Sequence, residues 1–445
     1  MTMPRPREAL IQTLHDSTPK SGAQHARAQV VLPGGLASGA RKFEPHPVFV
    51  DRAEGTKILD IDGNEYLDLC MSFAVLLLGH QHPVVLKAIQ DQLERGVIYG
   101  SSTSSMVEYS EKLVDCIPCA EMVLLCNSGT EATLQSIRIM RAYTGKTKIA
   151  KFEGGYHGWH DYSLWSDFID PEKMGSPDKP VLVPTSAGIP PEIEQTMLLL
   201  PNTEAAFGLI EEHAADLAGV MFEPVSGTLP NDPAFLKGLR KVTTRTGVPL
   251  MFDEMITGFR LGIGGAQEYF GVTADLATYG KAIGGGFPIG AVGCSREMME
   301  RVIDSEFPIS VAGTFSGNPM TLAAGNATLD FLINNPQIYA EMADRGERIR
   351  NSFNEFAQKK GYPATMTGVG SLCQVHFREP PANSLRGLLE QDYDVLEDFC
   401  LHLRINGIFM AHGHWICISA VHSDADVDRA IEAHQVSLEA CLSKS

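Results

Sequence analysis

The sequence predicts an α/β protein built on a mostly parallel sheet with helices on both faces. Three observations carry that prediction. Beyond about residue 85, stretches with helical spacing alternate with short apolar runs. Those runs are bounded by turn or polar residues and are too short to be helices. The chain is also long enough, at 445 residues with 44% hydrophobic and 20% charged residues, to bury a large core in two to three domains.

Taken in order, residues 1–45 read as a peripheral segment, with a polar helical start followed by the turn Pro33-Gly34-Gly35. Pro47 to Leu69 reads as short strands with Asp62-Gly63-Asn64 as a hairpin turn. Val84–Leu93 and Ser105–Cys116 have helical spacing, Met122–Cys126 reads as a buried strand, Glu131–Tyr143 as a helix and Lys148–Phe152 as a strand. Asp216–Phe222, Val248–Phe252 and Leu276–Tyr279 are further strand-like runs. The stretch 161–191 is polar, rich in Pro and Gly, and reads as a long surface loop or a lid. After about residue 325, long amphipathic helices alternate with short strands at Gly370–Phe377 and His414–Ala420. The expected division is an N-terminal segment (1–75) that contributes to a small domain, a large domain (76–325) and a C-terminal small α+β domain (326–445).

A formal net charge of -18, from 54 acidic and 36 basic residues, sets a field that repels phosphate backbones and anionic membranes. Nine scattered cysteines without framework spacing point to reduced thiols. Cys116-Ile-Pro-Cys119 lacks the second pair that a zinc site needs. The first twenty residues show no secretory pattern and no run is long enough to span a bilayer, so the expected location is the cytoplasm.

Four stretches carry chemistry. Val248 to Arg260 contains a buried strand ending in Asp253-Glu254, two carboxylates at the end where a parallel sheet keeps its ligands. Leu276 to Gly286 delivers Lys281 behind Gly280 and ahead of three glycines, which suits an amine entering a crowded cleft, although alone it fits a surface lysine better. Leu124 to Glu131 is a strand, a tight turn and a helix start, where free backbone N–H groups and the hydroxyls of Ser128 and Thr130 can hold a phosphate. Alone, it also fits simple helix capping. Phe152 to His160 presents Tyr156, an aromatic that can stack on a flat heteroaromatic ring, and a histidine pair with no third metal ligand. Together an acid, an amine, a phosphate cradle and an aromatic fit pyridoxal phosphate. That cofactor needs a lysine imine and a carboxylate on its ring nitrogen.

The chain resembles the class III pyridoxal-phosphate aminotransferases of fold type I, in the glutamate-1-semialdehyde aminomutase-like branch. The resemblance rests on Asp60-Ile-Asp-Gly-Asn-Glu-Tyr-Leu-Asp68, Gly79-His-Gln-His-Pro83, Asn127-Ser-Gly-Thr-Glu-Ala132, Gly155-Tyr-His-Gly158, Asp253-Glu254, Gly280-Lys281 and Gly313-Thr-Phe-Ser-Gly-Asn-Pro319. It implies a large domain with a mostly parallel seven-stranded sheet plus a small α+β domain. It makes Lys281 the Schiff-base lysine and Asp253 the partner of the ring nitrogen. Ser128, Gly129 and Thr130 fall on the phosphate, Tyr156 on the ring, and Glu223 on the cofactor. It implies a homodimer in which Thr314 reaches the neighbouring subunit's cofactor. Ser38 and Arg41 match a stretch whose arginine binds a substrate carboxylate, a task that suits a bidentate guanidinium.

Departures from the branch shift the expected reaction. Thr228 follows Glu223-Pro-Val-Ser-Gly227 where the aminomutases usually carry asparagine, and no carboxylate lies in Ala411-His412-Gly413-His414-Trp415 where the mutase has a glutamate. The 161–191 stretch also differs from the mutase gating loop. The expected activity is therefore a ping-pong aminotransferase acting on a small-molecule amino donor and keto acceptor. Its alternatives are an aminomutase, a racemase or a non-catalytic binder of the cofactor. The pattern around Arg41 and His412–His422 loosely resembles relatives acting on aromatic or β-amino acids. His412 and His414 either shape the substrate side chain or pack ordinarily.

Overall fold

The computed structural model describes residues 7–167, 170–226, 229–230, 232–303, 306–379, 385–410 and 415–443. The chain divides into two units, Met1–His82 with Gln337–Ser445, and Pro83–Pro336.

The unit Pro83–Pro336 is built on seven strands: β1 (Met122–Cys126), β2 (Lys148–Phe152), β3 (Met197–Leu200), β4 (Leu217–Phe222), β5 (Leu250–Asp253), β6 (Leu276–Gly280) and β7 (Gly290–Cys294). Their order across the sheet is β1-β7-β6-β5-β4-β2-β3. The neighbours from β6 to β3 are all parallel. Only β7 runs against its neighbours, pairing antiparallel with β6 and β1. Every residue of β4, β5, β6 and β7 is buried, as expected of strands covered on both faces, which explains the apolar runs of β4, β5 and β6. The helix Gly129–Thr144 packs Ile137, Ile139 and Met140 into the core that also holds Ile149, Met221, Leu276 and Val292. The unit is thus α/β with a mostly parallel seven-stranded sheet.

Strands β3 and β7 carry no signal in the reading of the sequence. For β7 the reason is steric. A Cβ at Gly290 would stand 2.2 Å from the Ser128 carbonyl oxygen, and one at Gly293 3.0 Å from the Ala120 Cβ. Close backbone approach selects glycine there, and glycine erases the strand's hydrophobic pattern. The expectation of an outer loop over 161–191 is corrected at its start. Ser163, Trp165, Ser166 and Asp167 are buried, and Trp165 joins the main core. Its polar residues fold inward because their hydrogen bonds close within the segment, among them Trp165 Nε1 donating to the Asp161 carbonyl at 2.7 Å.

In the other unit, Val50–Glu54, Lys57–Asp60 and Glu65–Asp68 form an antiparallel sheet that gains Ile408–Phe409 in parallel. The hairpin turn falls at Asp62-Gly63-Asn64, where Asp60 Oδ1 accepts from the backbone N–H groups of Asp62 and Asn64 and Gly63 takes φ +98°. Thr365–Val369, Leu372–His376 and Ile416–Cys417 make a second small sheet. The long helices Gln337–Lys360, Tyr393–Ile405 and Asp424–Leu442 complete an α+β unit. Among the described residues, no helix is long and apolar enough to cross a membrane.

Candidate active site

Five parallel strands deliver their candidate residues from the same kind of position, just past the carboxyl end. Ser128 follows β1, Tyr156 and His157 follow β2, Glu223 follows β4, Asp253 closes β5 and Lys281 follows β6. That end of an open parallel sheet is where backbone N–H groups and strand-end side chains converge on ligands.

Asp253 is 5% exposed. One carboxylate oxygen, Oδ2, accepts from His157 Nδ1 at 2.8 Å. The other accepts from the Met255 backbone N–H at 3.1 Å and the Thr278 hydroxyl at 3.2 Å. His157 is fully buried, and burial holds its pKa down against the pull of Asp253. Its Nε2 is buried with no hydrogen-bond partner among the described residues, so Nδ1 is the ring nitrogen that donates to Asp253. Sequence spacing gives the histidine of Tyr156-His157 no such role; its partner lies 96 residues away and only folding brings the two together.

Asp253 and Thr278 are register partners on β5 and β6, and Lys281 begins the short turn Lys281–Gly284 directly after β6. Lys281 takes φ +48°, a left-handed conformation that costs a non-glycine residue about 1 kcal/mol or more. Such strain persists where the surroundings dictate it, and here the glycine bend beyond it packs tightly: a Cβ at Gly285 would stand 2.5 Å from Thr328 Oγ1. Glu223 feels both groups. Burial and then Asp253 push its carboxyl pKa up, to about 8, while Lys281 draws it down. Acid and amine therefore act on one shared neighbour. Glu223 Oε2 also accepts from the Tyr156 backbone N–H at 2.9 Å.

At the start of the helix Gly129–Thr144, Ser128 is the N-cap and its hydroxyl accepts from the Glu131 N–H at 3.2 Å. Capping and anion binding both use this end, so the hydroxyl serves the helix while the remaining first-turn N–H groups stay available for a phosphate. Two glycines let the backbone close around it. A Cβ at Gly129 would lie 2.7 Å from Met255 Sδ, and one at Gly158 2.7 Å from Thr130 Oγ1. The turn after β2 thus sits against the helix start, where the Trp159 N–H donates to Thr130 Oγ1 at 3.4 Å. Tyr156 is 47% exposed, leaving ring surface for a flat partner. Thr314 is exposed, on a turn tied to the end of β1 through Asn127 Nδ2 and Ser316 Oγ at 3.3 Å.

Glu254, next to Asp253, belongs to a different network. Its carboxylate accepts from Thr257 Oγ1 at 2.8 Å, the Ala266 N–H at 2.7 Å and the Gln267 N–H at 3.1 Å. It braces the start of the helix Gly265–Phe270. Ser38 and Arg41 lie in the other unit, on and beside the exposed turn Gly39–Arg41. His412 and His414 fall outside the described residues, as do Gly227 and Thr228.

An acid, an amine, the N–H groups of a helix start and an exposed aromatic past the carboxyl ends of one sheet's strands fit an anionic ring with a basic nitrogen and an aldehyde. The orphaned His157 Nε2 and the two close-packed glycines show that the edge is shaped for more than packing. Comparison with known proteins bears on which ring. The family model described as aminotransferase class-III matches residues 38–434. A glutamate-1-semialdehyde 2,1-aminomutase of Methanosarcina acetivorans is 39% identical over 93% of this chain and 97% of its own. An omega-transaminase from Sphaerobacter thermophilus superposes with a TM-score of 0.90 at 34% identity, covering 95% of this chain and 97% of that one. A transaminase solved with PLP bound gives 0.86 at 30% identity, over 96% and 98%.

Proposed function

The chain belongs to the class-III aminotransferase family, with pyridoxal phosphate as its cofactor, and from that membership we propose an aminotransferase that moves an amino group from an amino acid or amine to a keto acid in two half-reactions. The observation that carries this reading is the pairing of β5 and β6, which sets Asp253 and Lys281 at the ends of neighbouring strands with Glu223 beside both.

Bound pyridoxal phosphate supplies a ring that accepts the electron pair left when a substrate C–H bond breaks. The chain's own residues do the rest. The Lys281 amine would tether the cofactor through its aldehyde, and the same Nζ would serve as the base that moves the substrate proton. Asp253 keeps a proton on the ring nitrogen, and His157, donating from Nδ1, fixes that carboxylate and its charge. The N–H groups of Gly129 and Thr130, capped by Ser128, hold the phosphate. Tyr156 covers the ring face, and Glu223 fixes the Tyr156 backbone. Ser38 and Arg41 receive the substrate carboxylate, and Thr314 reaches the cofactor of the second subunit of a homodimer.

A second reading has its own support, since relatives near 39% identity carry the name glutamate-1-semialdehyde 2,1-aminomutase. A mutase must keep its substrate through both half-reactions. The sequence lacks a carboxylate at 411–415 and has Thr228 in place of asparagine, and these differences favour two exchanging substrates. One experiment separates the two. Purified holoprotein is given an amino donor alone, donor with a keto acid, and glutamate-1-semialdehyde alone. Loss of the visible cofactor band with donor and its return with keto acid supports the aminotransferase. Turnover of the semialdehyde to 5-aminolevulinate without any acceptor, with no response to donors, replaces it by the mutase. Borohydride reduction and peptide mapping then place the cofactor; a label on any lysine other than Lys281 removes that residue from its role.

A further inference from the structure

The turn that carries Lys281 is gripped by two helices that have no part in the scheme above, Ser104–Cys116 and Pro319–Asn334. Tyr109, on the first, is 0% exposed, and its hydroxyl donates to the Ile283 carbonyl at 2.7 Å. Gly325, on the second, brings backbone against the same carbonyl. A Cβ there would stand 2.7 Å from that oxygen and 2.7 Å from Tyr109 Cε2. The two helices are also tied to each other. Lys112 Nζ donates to Asn326 Oδ1 at 3.0 Å and pairs with Asp330 at 2.6 Å, and Asn326 Nδ2 donates to the Ser105 carbonyl at 3.2 Å.

Phenylalanine would fill the Tyr109 site without a polar atom, and a fully buried hydroxyl is costly unless it is bonded. Its acceptor is a backbone carbonyl 174 residues away in the chain and two residues beyond Lys281. That position needs holding. Lys281 takes φ +48°, and a left-handed residue persists only where its surroundings over-determine it. Before the lysine, Gly280 is fixed by its register with Gly290 across β6 and β7. After it, Gly285 turns left-handed against the Ala324 carbonyl, 2.7 Å from where a Cβ would lie. Tyr109 holds the stretch between those two points. Released there, Lys281 would relax toward the right-handed region and carry its amine to another place. A misplacement of about 1 Å at a reacting group costs on the order of a hundredfold in rate.

We propose that Tyr109 is a positioning residue for Lys281: its hydroxyl, by holding the Ile283 carbonyl, keeps the left-handed turn that carries the amine. The inference rests on the reading of Lys281 as the cofactor lysine. Its test uses the holoprotein with Y109F, which removes only the hydroxyl, and G325A, which pushes on the same carbonyl from the other helix. A third variant, L239V, loosens the buried face of the helix Pro233–Thr246 instead and serves as the stability control. Each is read by thermal melt, by steady-state constants and by hydrogen exchange of the Gly285 and Phe287 amides, which bond to Ala282 and Gly284 within the turn. Y109F is expected to speed that exchange about tenfold. It should also lower kcat about tenfold with KM changed less than about twofold. G325A should act in the same direction, and L239V should lower the melting temperature while leaving exchange and kcat in place. Wild-type exchange in Y109F overturns the proposal, and so does faster exchange with an unchanged kcat. Equal losses in L239V would reduce Tyr109 to general stability and overturn it too. If G325A fails to fold, Y109F still decides. If the wild-type holoprotein shows no visible cofactor band, or borohydride labels another lysine, the cofactor reading has failed; the exchange data then still decide whether Tyr109 holds the turn.

Discussion

Two carboxylates stand side by side at the end of β5, and their surroundings differ. Glu254 turns toward the start of the helix Gly265–Phe270, where Thr257 and two backbone N–H groups engage it. Asp253 meets His157, whose second nitrogen has no hydrogen-bond partner among the described residues. The first carboxylate is surrounded by donors that belong to the fold. The second is held by His157 on one oxygen and by the Met255 N–H and the Thr278 hydroxyl on the other, beside an amine and another acid. An acid enclosed by backbone donors organises structure; an acid backed by a neutral histidine at a strand end is placed to meet a ligand. Substitutions on the two sides should therefore separate activity from stability.

The largest effect is expected from D253N. The amide keeps the shape but cannot hold a proton on the ring nitrogen, and kcat should fall by roughly a hundredfold to a thousandfold, with the melting temperature little changed. Steady-state kinetics beside a thermal melt checks both. A variant that loses fold and activity together would put Asp253 on the structural side with Glu254. H157F should act in the same direction and less strongly. Losing one charge-assisted hydrogen bond is worth about tenfold or somewhat more, and the effect should vanish in the D253N background, because His157 works through Asp253. Independent, additive losses would mean that the histidine touches the reaction by another route.

The sequence makes one side of this contrast easier to read than the other. The apolar runs of β5 and β6 and the residues that end them are visible because buried parallel strands leave unbroken hydrophobic stretches. The same rule hides β7, where Gly290 and Gly293 are dictated by close backbone packing. Asp253 and Lys281 can be nominated from their strand-end positions. The role of His157 cannot, since its partner is 96 residues away and a Tyr-His-Gly turn suggests a ring stack ahead of a metal ligand and no tie to Asp253. Lys151 is still less legible: in Lys148-Ile-Ala-Lys151-Phe it reads as a polar residue in a strand, and nothing local reveals that both its acceptors are carbonyls of the turn beyond. Residues whose role depends on contacts across the sheet are the ones that single-sequence reading misses.

Glu254 gives the smaller and sharper prediction. E254Q trades a carboxylate that accepts from Thr257, Ala266 and Gln267 for a neutral amide with one accepting oxygen, and should cost about 1–3 kcal/mol of stability while leaving kcat within about twofold. The pH dependence carries a definite sign. Burial raises the Glu254 carboxyl pKa from 4.5 to about 7. Between those values the folded protein holds this proton more tightly than the unfolded chain does. The contribution of this group to stability is therefore fully present below about 4.5, declines as pH rises, and is gone above about 7. Buried histidines such as His160, held down to about 4, act with the opposite sign below neutrality, so the wild-type curve alone mixes the two. The difference between wild type and E254Q isolates the carboxyl: melts taken from pH 5 to 8 should show the variant's deficit shrinking as pH rises. A deficit that stays constant across that window would mean that Glu254 does not titrate within it, and the contrast between the two acids would rest on geometry alone.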